Sequence, residues 1–273
     1  MIDLKLNYAE ITEALTLFIK DEVLKPGFTN VVLGLSGGID SALVAFLAVR
    51  ALGKENVHSV MMPYQTSSAD SINHAKLVVD RLGCSSEIKP ITAYADAYFQ
   101  EQNEMSALRK GNVMARMRMI TLYDSSAKRN ALVLGTSNKT ELMLGYGTQF
   151  GDMASALNPI GDLYKTQIWQ LSEFLGVPSE IIHKKPSADL WVGQTDEQEM
   201  GFTYDVADQI LYQMIDLRLT NEEIISNNFD IPIVEKIRKM VIRSQYKRKL
   251  PLIAKLTTRA VGIDFHYPRD WNQ

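Results

Sequence analysis

The sequence VVLGLSGGIDS occupies Val31–Ser41 and runs from an apolar stretch through a turn rich in serine and glycine. Val31–Leu33 show the apolar, β-branched pattern that is typical of a central parallel strand. The turn Ser36–Gly38 follows, and the apolar segment after Ser41 predicts a helix. Because the free amides of such a turn and of a helix N-terminus attract anions, the stretch indicates a phosphate-binding loop.

The loop differs from the Walker A pattern, in which Gly-Lys precedes Ser or Thr. Ile39 and Asp40 occupy those positions. A carboxylate repels a polyphosphate unless a cation lies between them, and Mg²⁺ prefers carboxylate and phosphate oxygens. Asp40 therefore predicts a magnesium ligand. The alternative, an ordinary turn with structural glycines, is less favoured because strand, turn and helix occur in the order that a phosphate loop requires.

Composition favours a soluble globular enzyme. Of the 273 residues, 46% are hydrophobic and 22% are charged, which is ordinary for this class. The net charge of -3 gives no basic surface for nucleic acid, so we expect no nucleic-acid partner. The single cysteine, Cys84, excludes an intramolecular disulfide and a cysteine zinc cluster. The early sequence lacks an apolar signal region, and the apolar run after Ser41 stops at Arg50, so we expect a cytoplasmic protein without a membrane span.

Strand-like and helix-like segments alternate along the chain. After the phosphate loop, the patterns predict strands at Val57–Met62, Ser86–Ile91 and Ala131–Leu134, and helices at Asp70–Leu82 and Met105–Lys128. This alternation is typical of an α/β fold with a doubly wound parallel sheet and flanking helices, and we expect one domain over residues 1–273. Ligands of such sheets bind beyond the carboxyl ends of the strands, so the loops at Ser36, Pro63 and Gly135 predict one shared site.

A second stretch with possible chemistry is GTSNKTELMLGYGTQFGD, Gly135–Asp152. Glu141 lies on a short predicted helix and could supply a second oxygen ligand to the ion at Asp40. The alternative is a solvated helix acid, which is the more common fate of a single glutamate. Gly145-Tyr-Gly147 does not indicate a dinucleotide turn, because it follows a helix rather than a strand.

Seven sequence motifs cover most of the chain, from about Val31 to Lys249: LSGGIDS, KGNVMARMRM, LGTSNKTE, FGD, LYKTQ, KKPSADLW and GQTDEQEMG. The first motif alone resembles the loop of ATP-pyrophosphatases, enzymes that cleave ATP to AMP and pyrophosphate. The complete set, in this order, resembles the ammonia-dependent NAD synthetases. This resemblance implies a fold like that of the adenine nucleotide alpha hydrolases, and an ATP-dependent amidation of deamido-NAD by ammonia. It also implies a homodimer with the dinucleotide at the subunit interface.

The resemblance also assigns roles to individual residues. The residues implied to bind ATP are Gly34, Leu35, Ser36, Gly37, Gly38, Ile39, Asp40, Ser41, Thr136, Lys165 and Ser187. Asp40 and Glu141 are implied to hold Mg²⁺. The residues implied to contact deamido-NAD are Arg116, Asp152 and Lys247, and those implied to act in catalysis are Asp40, Lys165 and Asp152.

The chain departs from the family pattern at three positions near the dinucleotide pocket. Gln149 stands where lysine is frequent, Ala156 where an acid is frequent, and Tyr246 where histidine is frequent. These departures put the residue-level map of that pocket in doubt and leave the ATP site unaffected.

Composition and spacing alone allow plainer interpretations of several cations. Lys165 opens an amphipathic helix and could be a surface lysine. The run Lys247–Lys249 is more often a solvated face or a mobile tail. Arg116 and Arg118 are two residues apart on a helix and point to nearly opposite sides, so at most one of them faces the site easily. The resemblance favours Arg116, and we expect Arg118 in solvent.

Other functions share parts of this pattern. A GMP synthetase core would share the phosphate loop but lack the KPSADLW and GQTDE stretches. A tRNA-modifying thiolase would need further cysteines or a nucleic-acid patch. A nucleotide-binding module without turnover would leave the second acid and the two lysines unexplained. The phosphate loop begins near residue 34, so we expect no glutaminase unit upstream and free ammonia as the nitrogen source. The segments Pro63–Ser68 and Ser187–Glu199 could close over the adenylate.

Overall fold

The computed structural model describes residues 2–187, 195–249 and 251–263. In its amino-terminal half, helices alternate with strands. The elements are α1 Tyr8–Leu24, β1 Asn30–Gly34, α2 Ile39–Leu52, a 3₁₀ turn Lys54–Asn56, β2 Val57–Met61, α3 Ala69–Leu82, β3 Ser85–Ile88, α4 Thr92–Gln100, α5 Ala107–Arg129 and β4 Ala131–Leu134.

The strands of the described chain form one parallel sheet in the order β3-β2-β1-β4. Val31 of β1 pairs with Val57 of β2 on one side and with Leu132 of β4 on the other. Val31 and Leu33 pack with α2 on one face, whereas Val32 packs with Leu122 of α5 on the opposite face. Because helices cover both faces, the predicted doubly wound parallel α/β fold is confirmed.

The carboxyl-terminal half is helical. Its elements are α6 Lys139–Leu144, α7 Lys165–Leu175, α8 Ser179–Ile182, α9 Asp196–Met200, α10 Tyr204–Leu211, a π-helical turn Tyr212–Asp216, α11 Asn221–Ser226, α12 Ile231–Arg243 and a 3₁₀ turn Gln245–Arg248. A second apolar cluster joins α6, α10, α11 and α12 around buried Tyr204 and Ile237. Helix α7 packs against both α2 and α10 and so links this cluster to the sheet. Within the described residues, no helix is both long and apolar enough to cross a membrane.

The predicted and observed elements differ most at the β3 edge of the sheet. Ala131–Leu134 is the strand that the sequence predicts, and α3 begins one residue earlier than predicted. The predicted strand Ser86–Ile91 is shorter, Ser85–Ile88, and most of its side chains are exposed. Helix α4 has no counterpart in the predictions. Only Ala95 of this helix is buried, so its sequence carries almost no apolar periodicity.

Candidate active site

The phosphate-type loop lies between the carboxyl end of β1 and the first turn of α2. The Ser41 hydroxyl accepts a hydrogen bond from the Ser36 amide (3.2 Å) and donates one to the Gly38 carbonyl (3.0 Å). Gly38 is the N-cap of α2, and no side chain at this position caps the first amides of the helix. Gly37 has a φ of +74°, in the left-handed region. The loop therefore has the backbone arrangement that suits an anion.

Asp40, Glu141 and Lys165 lie together beside this loop. The Lys165 ammonium is 2.5 Å from Asp40 Oδ2 and 3.7 Å from Glu141 Oε1. Asp40 is in the first turn of α2, Glu141 is in α6 and Lys165 is the first residue of α7. The lysine is only 2% exposed, so its interpretation as a surface lysine is wrong. With Asp196 and Asn138, described next, we call this group the acid–lysine cluster.

Asn138 and Asp196 complete the acid–lysine cluster. The side-chain Nδ2 of Asn138 donates to Asp40 Oδ1 (2.9 Å), and the backbone amide of Asn138 donates to Glu141 Oε2 (3.3 Å). Asp196 is 5% exposed, and its two oxygens accept from the hydroxyls of Tyr146 (3.2 Å) and Tyr204 (3.0 Å). No role was predicted for either residue. For Asn138, the sequence did contain a signal: its spacing from Glu141 is that of a capping box, which predicts a contact between the two residues.

The electrostatics of the cluster reflect buried charges of both signs. Burial alone lowers the pKa of Lys165, but the adjacent carboxylates of Asp40 and Glu141 outweigh it and hold this pKa above its ordinary range. Burial and the negative charge of Asp40 raise the pKa of Glu141. Burial also raises the pKa of Asp196, against the attraction of Lys165. The carboxylates outnumber the single ammonium, so further positive charge in this pocket would relieve their mutual repulsion.

A second group of polar residues surrounds the loop that follows α6. The Arg116 guanidinium donates to the Gln149 carbonyl (3.2 Å), and Asp152 Oδ1 accepts from the Thr148 amide (2.8 Å). Lys247 Nζ donates to the carbonyls of Gly145 and Gly147, both at 2.8 Å. The structure therefore brings together the three residues predicted to contact deamido-NAD, and we call Arg116, Asp152 and Lys247 the basic–acidic rim.

The carboxyl-terminal cations are held by backbone carbonyls. Burial lowers the pKa of Lys247, and nearby Asp152 opposes this shift. Arg248 donates to the carbonyls of Leu142 (3.2 Å) and Met143 (3.0 Å) at the end of α6. The composition-based interpretation of a solvated face is therefore wrong for Lys247 and Arg248, because both side chains are partly buried and bonded.

The expectation for Arg118 is also wrong. Its side chain is partly buried, and its Nε donates to the Met62 carbonyl (3.0 Å) just beyond the end of β2. Arg116 is exposed, and its contact with a substrate stays a prediction. A carbonyl at a strand end needs a donor, and a long arginine side chain on α5 can reach it, which helical spacing alone does not indicate.

Two predicted ATP contacts lie at the margin of the site. Thr136 is partly buried between β4 and the Asn138 cap. Ser187 is exposed. Residues 188–194, which include the end of the KKPSADLW motif and the start of the GQTDEQEMG motif, lie outside the described residues. Lys184, shortly before them, donates to the Ser71 hydroxyl (3.0 Å), near Gly37. Closure by Pro63–Ser68 and Ser187–Glu199 stays a prediction.

Comparison with known proteins places the chain in a family. The sequence pattern of the family described as NAD synthase matches residues 11–251. An "NH(3)-dependent NAD(+) synthetase" of Chlorobaculum parvum is 57% identical over 271 residues, which cover 99% of this chain and 98% of the relative.

Solved structures agree with the sequence comparison. The NH3-dependent NAD synthetase of Campylobacter jejuni, in complex with nitrate, is 37% identical, with a TM-score of 0.78 over 92% of this chain and 100% of the other. An NMN synthetase of Francisella tularensis is 33% identical, with a TM-score of 0.82 over 92% of this chain and 99% of the other. With its full-length relatives, its doubly wound sheet and the loop that precedes Asp40, this chain belongs to the NAD synthase family.

Proposed function

We propose that this chain is an ammonia-dependent NAD synthetase, a ligase that uses ATP to convert the carboxylate of deamido-NAD into the amide of NAD. The observation that carries the proposal is the acid–lysine cluster beside the phosphate-type loop, where Asp40, Glu141 and Lys165 meet. Membership of the family supports it further, since curated relatives with this name match almost the whole chain.

The reaction follows from the poor reactivity of a carboxylate. An oxygen of the substrate carboxylate attacks the α-phosphorus of ATP, the bond to the bridging oxygen breaks and pyrophosphate leaves. Ammonia then attacks the acyl carbon of the adenylate, its C–O bond breaks and AMP leaves, while the nitrogen loses a proton to water or buffer. Two anions must meet in the first step. We assign the loop from Gly34 to Ser41, together with Lys165, to phosphate binding, which would lower that repulsion.

The acid–lysine cluster fits a magnesium ion. Three carboxylates share one ammonium there, and burial, together with the negative charges of Asp40 and Asp196, raises the pKa of Glu141. Among the described side chains no group of three or more His, Cys, Asp or Glu residues forms a ready metal cage. Mg²⁺ does not require one, because it usually takes one or two carboxylates and completes its shell with phosphate and water oxygens. We therefore assign Asp40 and Glu141 as its protein ligands; bound there, the ion would neutralise phosphate charge.

The basic–acidic rim is the proposed site for deamido-NAD. Arg116 and Lys247 supply positive charge, and Asp152 supplies an acceptor within the same loop region. Gln149 stands where family members often have lysine. Its backbone carbonyl accepts from Arg116, and its side-chain Nε2 donates to the backbone carbonyl of Tyr246 (3.4 Å). Two of the three departures from the family pattern therefore contact one another, which supports a locally adjusted pocket.

The homodimer is a further part of the proposal. Helices α4 and α5 carry exposed apolar side chains, among them Tyr94 (63%), Leu108 (64%) and Ile120 (56%). A second copy of the chain would remove this surface from water.

We expect a dimer in sedimentation at micromolar concentration. Ile120→Glu should give a monomer, because it places a charge at an exposed apolar position of α5, whereas Leu17→Glu on α1, which is similarly exposed, should leave the dimer intact. A wild-type monomer with full turnover would contradict a site shared between subunits.

The Francisella relative raises a second candidate acceptor, the mononucleotide acid that corresponds to NMN. Its high structural similarity supports including this compound in the assay. The rim favours the dinucleotide, because it offers two cations and could accommodate two phosphates.

We expect NAD, AMP and pyrophosphate in equal amounts from deamido-NAD, ATP, Mg²⁺ and an ammonium salt, measured by chromatography. Glutamine free of ammonium should give no comparable rate, because Cys84, the single thiol of the chain, is buried and its pKa is raised by burial. Preference for the mononucleotide would reassign the substrate. Binding of ATP without any pyrophosphate release would favour a nucleotide-binding module.

The proposal extends to organisation and location. One domain over residues 1–273 is supported by α7, which packs against the sheet-side helix α2 and the carboxyl-terminal helix α10. The consumption of ATP supports a cytoplasmic location.

A further inference from the structure

Asp208 is a fully buried carboxylate outside the acid–lysine cluster, and the proposed reaction does not use it. It lies on α10. Its Oδ1 accepts a hydrogen bond from the Thr140 hydroxyl, and its Oδ2 accepts one from the Thr166 amide (2.8 Å). The burial of an acid costs free energy unless its oxygens are well bonded, and these two hydrogen bonds offset that cost. What the buried carboxylate does for the structure is shown by the elements that it joins.

The two contacts lead to the helices that carry the cluster. Thr140 precedes Glu141 on α6, and Thr166 follows Lys165 on α7. The Thr140 hydroxyl also accepts a hydrogen bond from the Lys165 amide (3.0 Å). The first two amides of α7 are therefore satisfied by side chains of α6 and α10. Asp208 and Thr140 thus form a chain of bonds from α10 through α6 to the backbone of Lys165.

The chemistry of this junction requires a carboxylate. The Thr140 hydroxyl and the Thr166 amide both donate, and an ionised carboxylate accepts at both oxygens. Asparagine has the same shape but would turn an NH₂ donor toward one of these donors. Hydrogen bonds from Thr140 and Thr166 offset part of the burial effect, which raises the pKa of Asp208 to about 6. A negative charge at the N-terminus of α7 is also favoured by the helix dipole.

Asp216 forms a second tie between the same helices. Its carboxylate accepts from the Lys139 ammonium (2.9 Å) and from the Tyr164 hydroxyl (2.5 Å). Lys139 is the first residue of α6, and Tyr164 is the N-cap of α7. Asp208 and Asp216 therefore both hold the start of α6 against the start of α7. Asp208 is the buried one, and its partners Thr140 and Thr166 are the sequence neighbours of Glu141 and Lys165.

We propose that Asp208 is a positioning residue that, through Thr140 and Thr166, sets the distance between Glu141 and Lys165 during adenylate formation. The inference rests on the proposed roles of Glu141 and Lys165. Small displacements of reacting or charge-stabilising groups are costly, and an error of about 1 Å can lower the rate by about 100-fold.

The test uses the full-length protein with kinetics and thermal unfolding. Asp208→Asn and Thr140→Val should each lower kcat by about 10- to 100-fold, while the KM for deamido-NAD changes by less than about two-fold because the rim is built elsewhere. Thr140→Ser should restore most of kcat, since it keeps the hydroxyl. The double variant Asp208→Asn/Thr140→Val should lose no more kcat than the less active of the two single variants, because both changes break the same chain of bonds.

A matched control is available on the same helix. Asp205→Asn makes the same chemical change at an exposed position of α10 and should leave kcat unchanged. A normal kcat in folded Asp208→Asn or Thr140→Val, with only a lower unfolding temperature, would show that the junction is merely structural. If Asp208→Asn does not fold, the comparison of Thr140→Val with Thr140→Ser decides the question alone.

Two reference variants separate this inference from the proposed function. Lys165→Met and Glu141→Gln should both lose turnover. If they do and Asp208→Asn does not, the positioning role is wrong and the proposed function stands. If Lys165→Met and Glu141→Gln keep turnover, their proposed roles fail and the positioning role fails with them.

Discussion

Asp40→Asn is expected to lower kcat by about 100-fold or more and to raise the Mg²⁺ concentration needed for half-maximal activity. Asp40 accepts from Lys165 at one oxygen and from Asn138 at the other. Asparagine keeps one acceptor and turns a donor toward the second partner, and it removes the negative charge that the ion needs. The measurement is the initial rate across a Mg²⁺ titration, with thermal unfolding to confirm the fold.

Asp70→Asn is the matched control, because Asp70 is an exposed acid in the first turn of α3. It should behave as the unchanged protein in both measurements. Near-normal rates for Asp40→Asn at every Mg²⁺ concentration would show that Asp40 is not a ligand. The result would also remove the main support for electrostatic neutralisation in the acid–lysine cluster.

Gly37→Ala should destabilise the protein by about 2 kcal/mol or more and weaken ATP binding. An added Cβ at Gly37 would lie 2.0 Å from the carbonyl oxygen of Ser71, so the loop or the start of α3 must move. The φ of +74° adds the strain of a left-handed conformation. Urea unfolding gives the change in free energy, and titration calorimetry gives the change in ATP affinity.

Gly176→Ala separates the two causes. Gly176 has the same φ of +74°, but nothing lies within 4 Å of its added Cβ. It should therefore cost only the conformational strain, about 1–2 kcal/mol, and leave ATP affinity unchanged. Equal losses of stability in the two variants would mean that the contact of the loop with Ser71 yields easily, and that the loop is less constrained than the geometry indicates.

The elements that the sequence predicts best are those with strong apolar patterns. β1, α2 and β4 are buried on one or both faces, and their patterns place the loop and Asp40 correctly. The grouping of Arg116, Asp152 and Lys247 came from the family resemblance. Spacing alone left their roles open, because exposed and bonded cations look the same in a sequence.

The parts that the sequence missed depend on contacts between distant segments. Thr140 and Asp208 are 68 residues apart, and no periodicity links them. Asp196 also joined the cluster without a prediction, because its tyrosine partners come from different segments. Arg118 was placed in solvent since helical spacing says nothing about the carbonyl of Met62. Buried polar networks are satisfied by whichever donor the tertiary structure supplies.

Both ends of α6 are held by residues that come much later in the chain, which matters for folding during synthesis. The sheet and its phosphate-type loop are complete once Leu134 has left the ribosome, and domains begin to fold from the amino-terminal side. The groups that hold α6 emerge much later, at Asp208, Asp216 and Arg248. A nascent chain can therefore form the phosphate-type loop early, whereas the bonds of Asp208 and Arg248 to α6 can form only after α10 and α12 have emerged. Because the proposed reaction uses Glu141 and Lys165, we expect activity only in chains that extend at least to Arg248.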